Sequence, residues 1–245
     1  MSDTAAPPRR GRPTAALRLA WTIVSLLVVE VAVFGLAASP AVIYWSWLID
    51  HGPANRPLRL LLVSASLAPS YLLFAIALIG LSALANRLTG WRSAPDREWA
   101  IADLEWGLLD WARSVAALHL VRLCAGSLFR GSPLWTAHLR LNGARMGRRV
   151  YVNSLMLSDP NLLDFGDDVV IGADVHLSGH TVEGGIVKTG AVRLGSRVTI
   201  GLGAVVGIGV DIGSDCQVGA LSLVPKHTRL EANAVYAGIP VKRIA

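Results

Sequence analysis

The 245-residue chain is long enough for one large domain or two small ones. Hydrophobic residues make up 53% of it and charged ones 16%, against roughly 25% charged in soluble domains; an ordinary soluble enzyme is a poor match, and disorder is excluded because so much apolar surface can be buried. The formal net charge of +6 is unevenly spread: residues 1–86 carry six Arg and three acids, 87–149 ten Arg and five acids, and 150–245 seven basic and nine acidic groups.

The positive charge therefore sits beside the apolar half, which argues against nucleic acid and for anionic lipid headgroups. Residues 1–16 read as a flexible N-terminus. Residues 17–39 form an apolar run in which, past Arg18 at its edge, Glu30 is the single charge, long enough to span a hydrocarbon core of about 30 Å. Pro40 is expected to interrupt that helix, and Tyr44, Trp45 and Trp47 suit the membrane interface. A second apolar run, 60–85, carries no charge, and 50–59 reads as a polar turn with Gly52, Pro53 and Pro57. Region 17–86 is thus a hairpin of two transmembrane helices. The first run exceeds the h-region of a signal peptide, about 7–15 residues. Arg9, Arg10, Arg12 and Arg18 precede the first span and Arg87, Arg92 and Arg97 follow the second, while the turn holds only Arg56 and Arg59. Both termini are therefore expected in the cytoplasm of a multi-pass inner-membrane protein. Glu30 reads as a partnered residue at a helix contact, with a functional intramembrane acid as the alternative.

Residues 87–147 read as connector helices. From 96 to 129 acidic groups come early and basic ones late, as a helix dipole prefers. Trp99, Trp106 and Trp111 suit a helix lying in the interface, or one packed on the C-terminal domain. Gly126, Gly131 and Pro133 break it, and a shorter helix is expected to end near Gly143 or Gly147.

Periodicity decides residues 148–245. Leu194, Ile200, Val206, Ile212, Val218, Val224 and Leu230 recur in steps of six, and the first five are each followed by glycine. Phe165, Ile171 and Leu177 form a second set with the same period, and a loop at about 178–190 must break the register between the two. Six-residue faces closing into triangular coils predict a parallel β-helix. Cys124 and Cys216 stand far apart with no CxxC, so neither a disulfide framework nor a zinc ribbon is expected, and a reducing compartment fits.

These residues carry a resemblance. The repeats and the ending AGIPVKRI resemble the hexapeptide-repeat acyltransferases, whose fold is a left-handed parallel β-helix. The segments GSPLWTAHLRLNGARMGRRVYV, GDDVVI, HTVEGGIVK and VGALSLVPK further resemble the membrane-bound C-terminal region of poly-lysine-synthetase-type non-ribosomal peptide synthetases. In that family such domains alternate with membrane helices. The resemblance covers about residues 125–245 and implies a homotrimer, active-site grooves between subunits, and a thioester donor. That donor is acetyl-coenzyme A or a phosphopantetheinyl carrier-protein thioester, with no permanently bound cofactor; a carrier protein or synthetase is a possible partner.

Acyl transfer needs a base for the attacking hydroxyl or amine. His180 falls where the register breaks, so its side chain need not point into the prism, and by resemblance it matches the catalytic histidine of galactoside and maltose acetyltransferases. Glu183 is a candidate to orient the imidazole or hold an amine, and Lys188 matches a lysine of the synthetase-type loop. His176 points outward, as a supporting or plain surface residue. For the donor arm the resemblance implies Gly201, Gly219, Ala220 and Ser222 along the coils, with Lys226, Lys242 and Arg243 for phosphates. Leu221 stands where acetyltransferases often carry glycine, which favours a carrier-protein donor. Two other readings remain at this point. A zinc hydratase of the gamma carbonic anhydrase type would use His176, His180 and His227, whose spacing does not match, so no metal is expected. A membrane-anchored trimeric scaffold or regulator without catalysis is the other.

Overall fold

The computed structural model describes residues 12–245; the rest of the expected flexible N-terminus lies outside the described residues. Helix α1 (Arg12–His51) is continuous through Pro40, contrary to the expected interruption. Proline removes the N–H that would bond the carbonyl four residues back, here that of Leu36, and the Ser39 hydroxyl donates to that carbonyl instead at 2.8 Å. A short turn leads to α2 (Arg56–Thr89), where Asn55 caps the N-terminus and Gly90, at φ 74°, ends the helix with its N–H on the Asn86 carbonyl. Val33 and Ala37 of α1 join Ala75, Leu78 and Ile79 of α2 in one apolar cluster. Phe34 meets Phe74 with ring centroids 5.9 Å apart, and Trp45 Nε1 donates to Ser66 Oγ. Glu30 is buried, but its Oε2 has no hydrogen-bond partner among the described residues, so the expected partner is not present there.

The segment from 96 differs from the expected helix. It begins as strand β1 (Glu98–Ala100) and a 3-10 turn at Ile101–Asp103. Asp96 and Leu104 adopt left-handed φ values of 51° and 46° on either side, which no helix accommodates. Helix α3 (Trp106–Val121) follows, then a π-helical turn at Arg122–Gly126, the single turn α4 (Ser127–Phe129) and α5 (Pro133–Leu141). Three helical stretches, Ala15–His51, Arg56–Thr89 and Trp106–Phe129, are long and apolar enough to cross a membrane by length and composition.

The remaining strands are short, and all but β7 and β8 build a prism of hexapeptide repeats. They are β2 (Arg145–Met146), β3 (Tyr151–Val152), β4 (Leu163–Phe165), β5 (Val170–Ile171), β6 (His176–Leu177), β7 (His180–Glu183), β8 (Ile186–Thr189) and β9 (Val192–Leu194). After them come β10 (Thr199–Ile200), β11 (Val205–Val206), β12 (Asp211–Ile212), β13 (Gln217–Val218), β14 (Leu223–Val224), β15 (Arg229–Leu230), β16 (Val235–Ala237) and β17 (Lys242–Arg243). Three faces of parallel strands result: β3-β5-β10-β13-β16, with β17 antiparallel at its end; β6-β11-β14; and β2-β4-β9-β12-β15. The inward aliphatics of the six-residue period are all buried. The glycines that follow them sit where one coil's corner rests on the next: a Cβ on Gly201 would lie 2.5 Å from the Ala220 nitrogen.

The register break is larger than a loop. Ile200 pairs with Val218, 18 residues on, but with Ile171, 29 residues back. The difference is taken up by the hairpin β7-β8, which leaves the prism and pairs with β1 as a separate three-stranded sheet. The prism core and the apolar faces of α1, α2 and α5 form a single cluster through Val121, Trp135 and Leu139.

His138 of α5 is buried in this junction, stacked on Trp135. Burial pushes its pKa down to about 4, against a partly opposing hydrogen bond to the Ile79 backbone. The unfolded imidazole takes a proton near pH 6.5, whereas the folded one resists until about pH 4. Stability is therefore full above the higher value and falls with pH down to the lower, by about 3 kcal/mol. Thermal unfolding of the detergent-solubilised protein between pH 7.5 and 4, wild type against His138→Leu, checks this: the variant's profile is expected to be flatter by that amount.

Candidate active site

The site grows out of the corner where the hairpin departs. Ser178 and Gly179 close the β6 coil, the Gly190 N–H bonds the Gly179 carbonyl to rejoin the ends, and His180 opens β7. Its backbone N–H donates to Ser178 Oγ at 3.2 Å. The imidazole is largely covered, with 21% of the side chain exposed, and its Nδ1 lies 2.5 Å from Oδ2 of Asp159, a carboxylate with no exposure at all. Asp159 sits before a 3-10 turn at Pro160–Leu162, at φ 52°. Its other oxygen, Oδ1, accepts from Ser93 Oγ at 2.6 Å and from the indole Nε1 of Trp111 at 3.1 Å. Trp111 also meets the His180 ring edge-on at 5.0 Å.

Each donor comes from a different part of the chain: Ser93 from the link after α2, Trp111 from α3, His180 from the hairpin. Ser93 is held in turn by Asn161, which accepts from its N–H at 3.3 Å and donates Nδ2 to its carbonyl at 2.6 Å. The positive charge of Arg122 also acts on Asp159, and its NH2 donates to the Leu157 carbonyl at 2.9 Å. A buried carboxylate with this set of donors is fully paired, which burial requires. It assigns the imidazole proton to Nδ1 and leaves the Nε2 lone pair as acceptor. Nε2 has no hydrogen-bond partner among the described residues. A neutral imidazole in this fixed tautomer can take a proton from a hydroxyl or an amine.

The other expected site residues fall as follows. Glu183 pairs with Lys226 and is not in contact with His180; the carboxylate at the imidazole is Asp159. That Lys226 neighbour holds the Glu183 carboxyl below its usual range. Lys188 of β8 reaches Glu98 of β1 at 3.2 Å, across the register pair Glu98–Lys188. His176 faces outward on β6; burial first, then the neighbouring His180 imidazole and Arg122 guanidinium, push its pKa down. Gly201, Gly219 and Ala220 lie at stacked corners of the prism, and Ser222 is buried with its hydroxyl accepting the Gly238 N–H at 3.1 Å. Leu221 is 66% exposed at φ 56°, a conformation that favours glycine. Lys242 and Arg243 form β17 on the terminal coil, Arg243 lying 3.6 Å from Glu231. His176, His180 and His227 form no metal-holding cluster, and no group of three or more potential ligands occurs among the described residues.

Asp159 and Ser93 escaped the sequence reading, and Trp111 was read there only as an interfacial or packing residue, not as part of the site. The one signal was that 153–162 is the stretch where the six-residue pattern lapses before Phe165, and an aspartate before proline in such a lapse is a bend rather than a repeat.

No family model matches the chain. Delta-poly-L-ornithine synthetase of Acinetobacter baumannii (strain AB307-0294) is 26% identical over 146 residues, which is 60% of this chain and 10% of that protein. The chain thus spans about a tenth of its curated relative's length. Among solved structures, a galactoside acetyltransferase in complex with coenzyme A is 21% identical, covering 61% of this chain and 86% of its own with a TM-score of 0.46. A maltose O-acetyltransferase from Clostridium difficile 630 is 18% identical, covering 65% and 94%, with a TM-score of 0.44.

Proposed function

We propose that the protein is a membrane-anchored acyltransferase with His180 as general base. The observation that carries this reading is the His180–Asp159 pair, in which a buried, triply hydrogen-bonded carboxylate leaves one imidazole nitrogen free at the point where the repeat register breaks. His180 Nε2 takes the proton of the acceptor hydroxyl or amine as that atom attacks the thioester carbonyl carbon. The new C–O or C–N bond forms, the C–S bond breaks, and the departing thiolate takes the proton back from the imidazolium. The donor is a thioester of coenzyme A or of a phosphopantetheinyl carrier protein. Likeness to a poly-ornithine synthetase supports an aminoacyl group, an amine acceptor and a synthetase or carrier partner.

The membrane arrangement follows from α1 and α2, with Arg18 and Arg87 at their prism-side ends and the hairpin turn on the far side. α3 does not add a third crossing: β1 before it pairs with β8 after it. Trp111 near its start and Arg122 just past its end both bond the coil around Asp159. The β-helix, residues 148–245, then faces the cytoplasm at the inner membrane beside the connector 87–147, and three copies form a trimer with grooves between prisms. Solubilised protein offered acetyl-coenzyme A and aminoacyl carrier-protein thioesters with amine and hydroxyl acceptors is expected to give an acylated product by mass spectrometry. A folded protein that transfers from no thioester removes the enzymatic reading.

A further inference from the structure

A cleft of about 810 Å³ opens between the end of α2, the start of α3, the end of α5 and the outer face of β4 and β9. Its walls carry four guanidinium groups, from Arg87, Arg92, Arg145 and Arg193, and two carboxylates, Asp110 and Asp164. Asp110 is already taken by the buried Arg113 at 2.7 Å, and Asp164 lies 3.8 Å from Arg145 and in register with Arg193. Among the described residues, Arg92 and Arg193 have no side-chain hydrogen-bond or ion-pair partner, so the cleft holds a clear excess of positive charge. Guanidinium forks match phosphate oxygens in geometry as well as charge.

The place of the cleft narrows the source of that phosphate. It begins at Asn86 and Arg87, in the last turn of α2. Leu84 and Leu88 of the same turns are 51% and 78% exposed, so an apolar strip leads up to a cationic hollow. That pairing fits an amphiphile whose tails lie along α2 and whose head enters the cleft. We propose that the cleft seats the phosphate of an anionic membrane lipid. This rests on the membrane placement of α1 and α2 and not on acyl transfer. Ser93 and Asn161 also line the cleft, and Ser93 holds Asp159, so the lipid head lies against the back of the His180–Asp159 pair.

The test uses the full chain in detergent micelles. Retention of dioleoyl phosphatidylglycerol is compared with that of dioleoylglycerol, which has the same tails and no phosphate, by native mass spectrometry. The wild type is expected to retain the phospholipid selectively. The double variant Arg92→Gln/Arg193→Gln is expected to bind it roughly 25-fold more weakly, about fivefold for each basic group removed. Arg229→Gln, outside the cleft on the same face, is expected to change nothing. Equal retention of the two lipids, or an unaffected double variant, overturns the site. Displacement of the lipid by equimolar glycerol 3-phosphate overturns the lipid as source in favour of a soluble phosphate. Carbonate extraction reads the membrane placement separately: wild type and variant are both expected to stay in the membrane pellet, and release of the wild type overturns that placement and the lipid source with it.

Discussion

Replacing His180 with alanine is expected to lower transfer by roughly 10²–10⁴-fold, the range for loss of a positioned general base. The protein should remain folded, because Asp159 keeps the Ser93 and Trp111 donors and stays inside the same wall of residues. Steady-state rates with each thioester donor, wild type against His180→Ala, give the comparison, with thermal unfolding as the control. The loss should be the same fold with a coenzyme A donor as with a carrier-protein donor, since the imidazole acts on the acceptor and not on the donor's tail. Equal product from variant and wild type would remove His180 from the mechanism.

The prism was legible because its physics is local. Each inward aliphatic from Leu194 to Leu230 repeats at six, each face needs a buried residue at that place, and every one of those side chains is buried. Glycine after the aliphatic is readable for the same reason, since backbone from the next coil occupies the space a side chain would fill. The hairpin β7-β8 was visible only as a gap in register. Its strands are held by β1, some 90 residues away in sequence, and no periodicity carries that information. The same strand explains why the helix expected from 96 starts at Trp106: Glu98–Ala100 gains a ladder with Ile186–Lys188, and tertiary pairing overrides the helix pattern. Pro40 misled in the opposite direction, because a neighbouring serine made good the carbonyl it stranded.

Half of the candidate site was legible and half was not. His180 stood out as a titratable residue in a break. Asp159 did not, because its three donors come from segments 21 to 66 residues away from it, Trp111 and Ser93 among them. Glu183 looked the better partner from spacing alone, being three residues from His180. In a strand, however, residues three apart point to opposite faces, and Glu183 accordingly pairs with Lys226.

Asp159→Asn is expected to lower kcat by roughly 10²–10⁴-fold with KM within a few-fold of wild type; the corresponding change in a Ser-His-Asp triad costs about 10⁴-fold by imposing the wrong tautomer. Asparagine has nearly the same shape and tolerates the left-handed φ of 52° found here. Its carbonyl oxygen can still accept from Ser93 and Trp111, which places its NH2 against His180 Nδ1. Two donors cannot face each other, so the imidazole proton moves to Nε2 and the base is lost while the fold stays intact. A structural role alone would instead lower the melting temperature and raise KM along with the fall in kcat. The double variant with His180→Ala separates the cases further: residues acting as a unit give non-additive losses, so the pair should be no slower than His180→Ala by itself. Multiplying losses would mean that Asp159 serves the reaction by a route other than the imidazole.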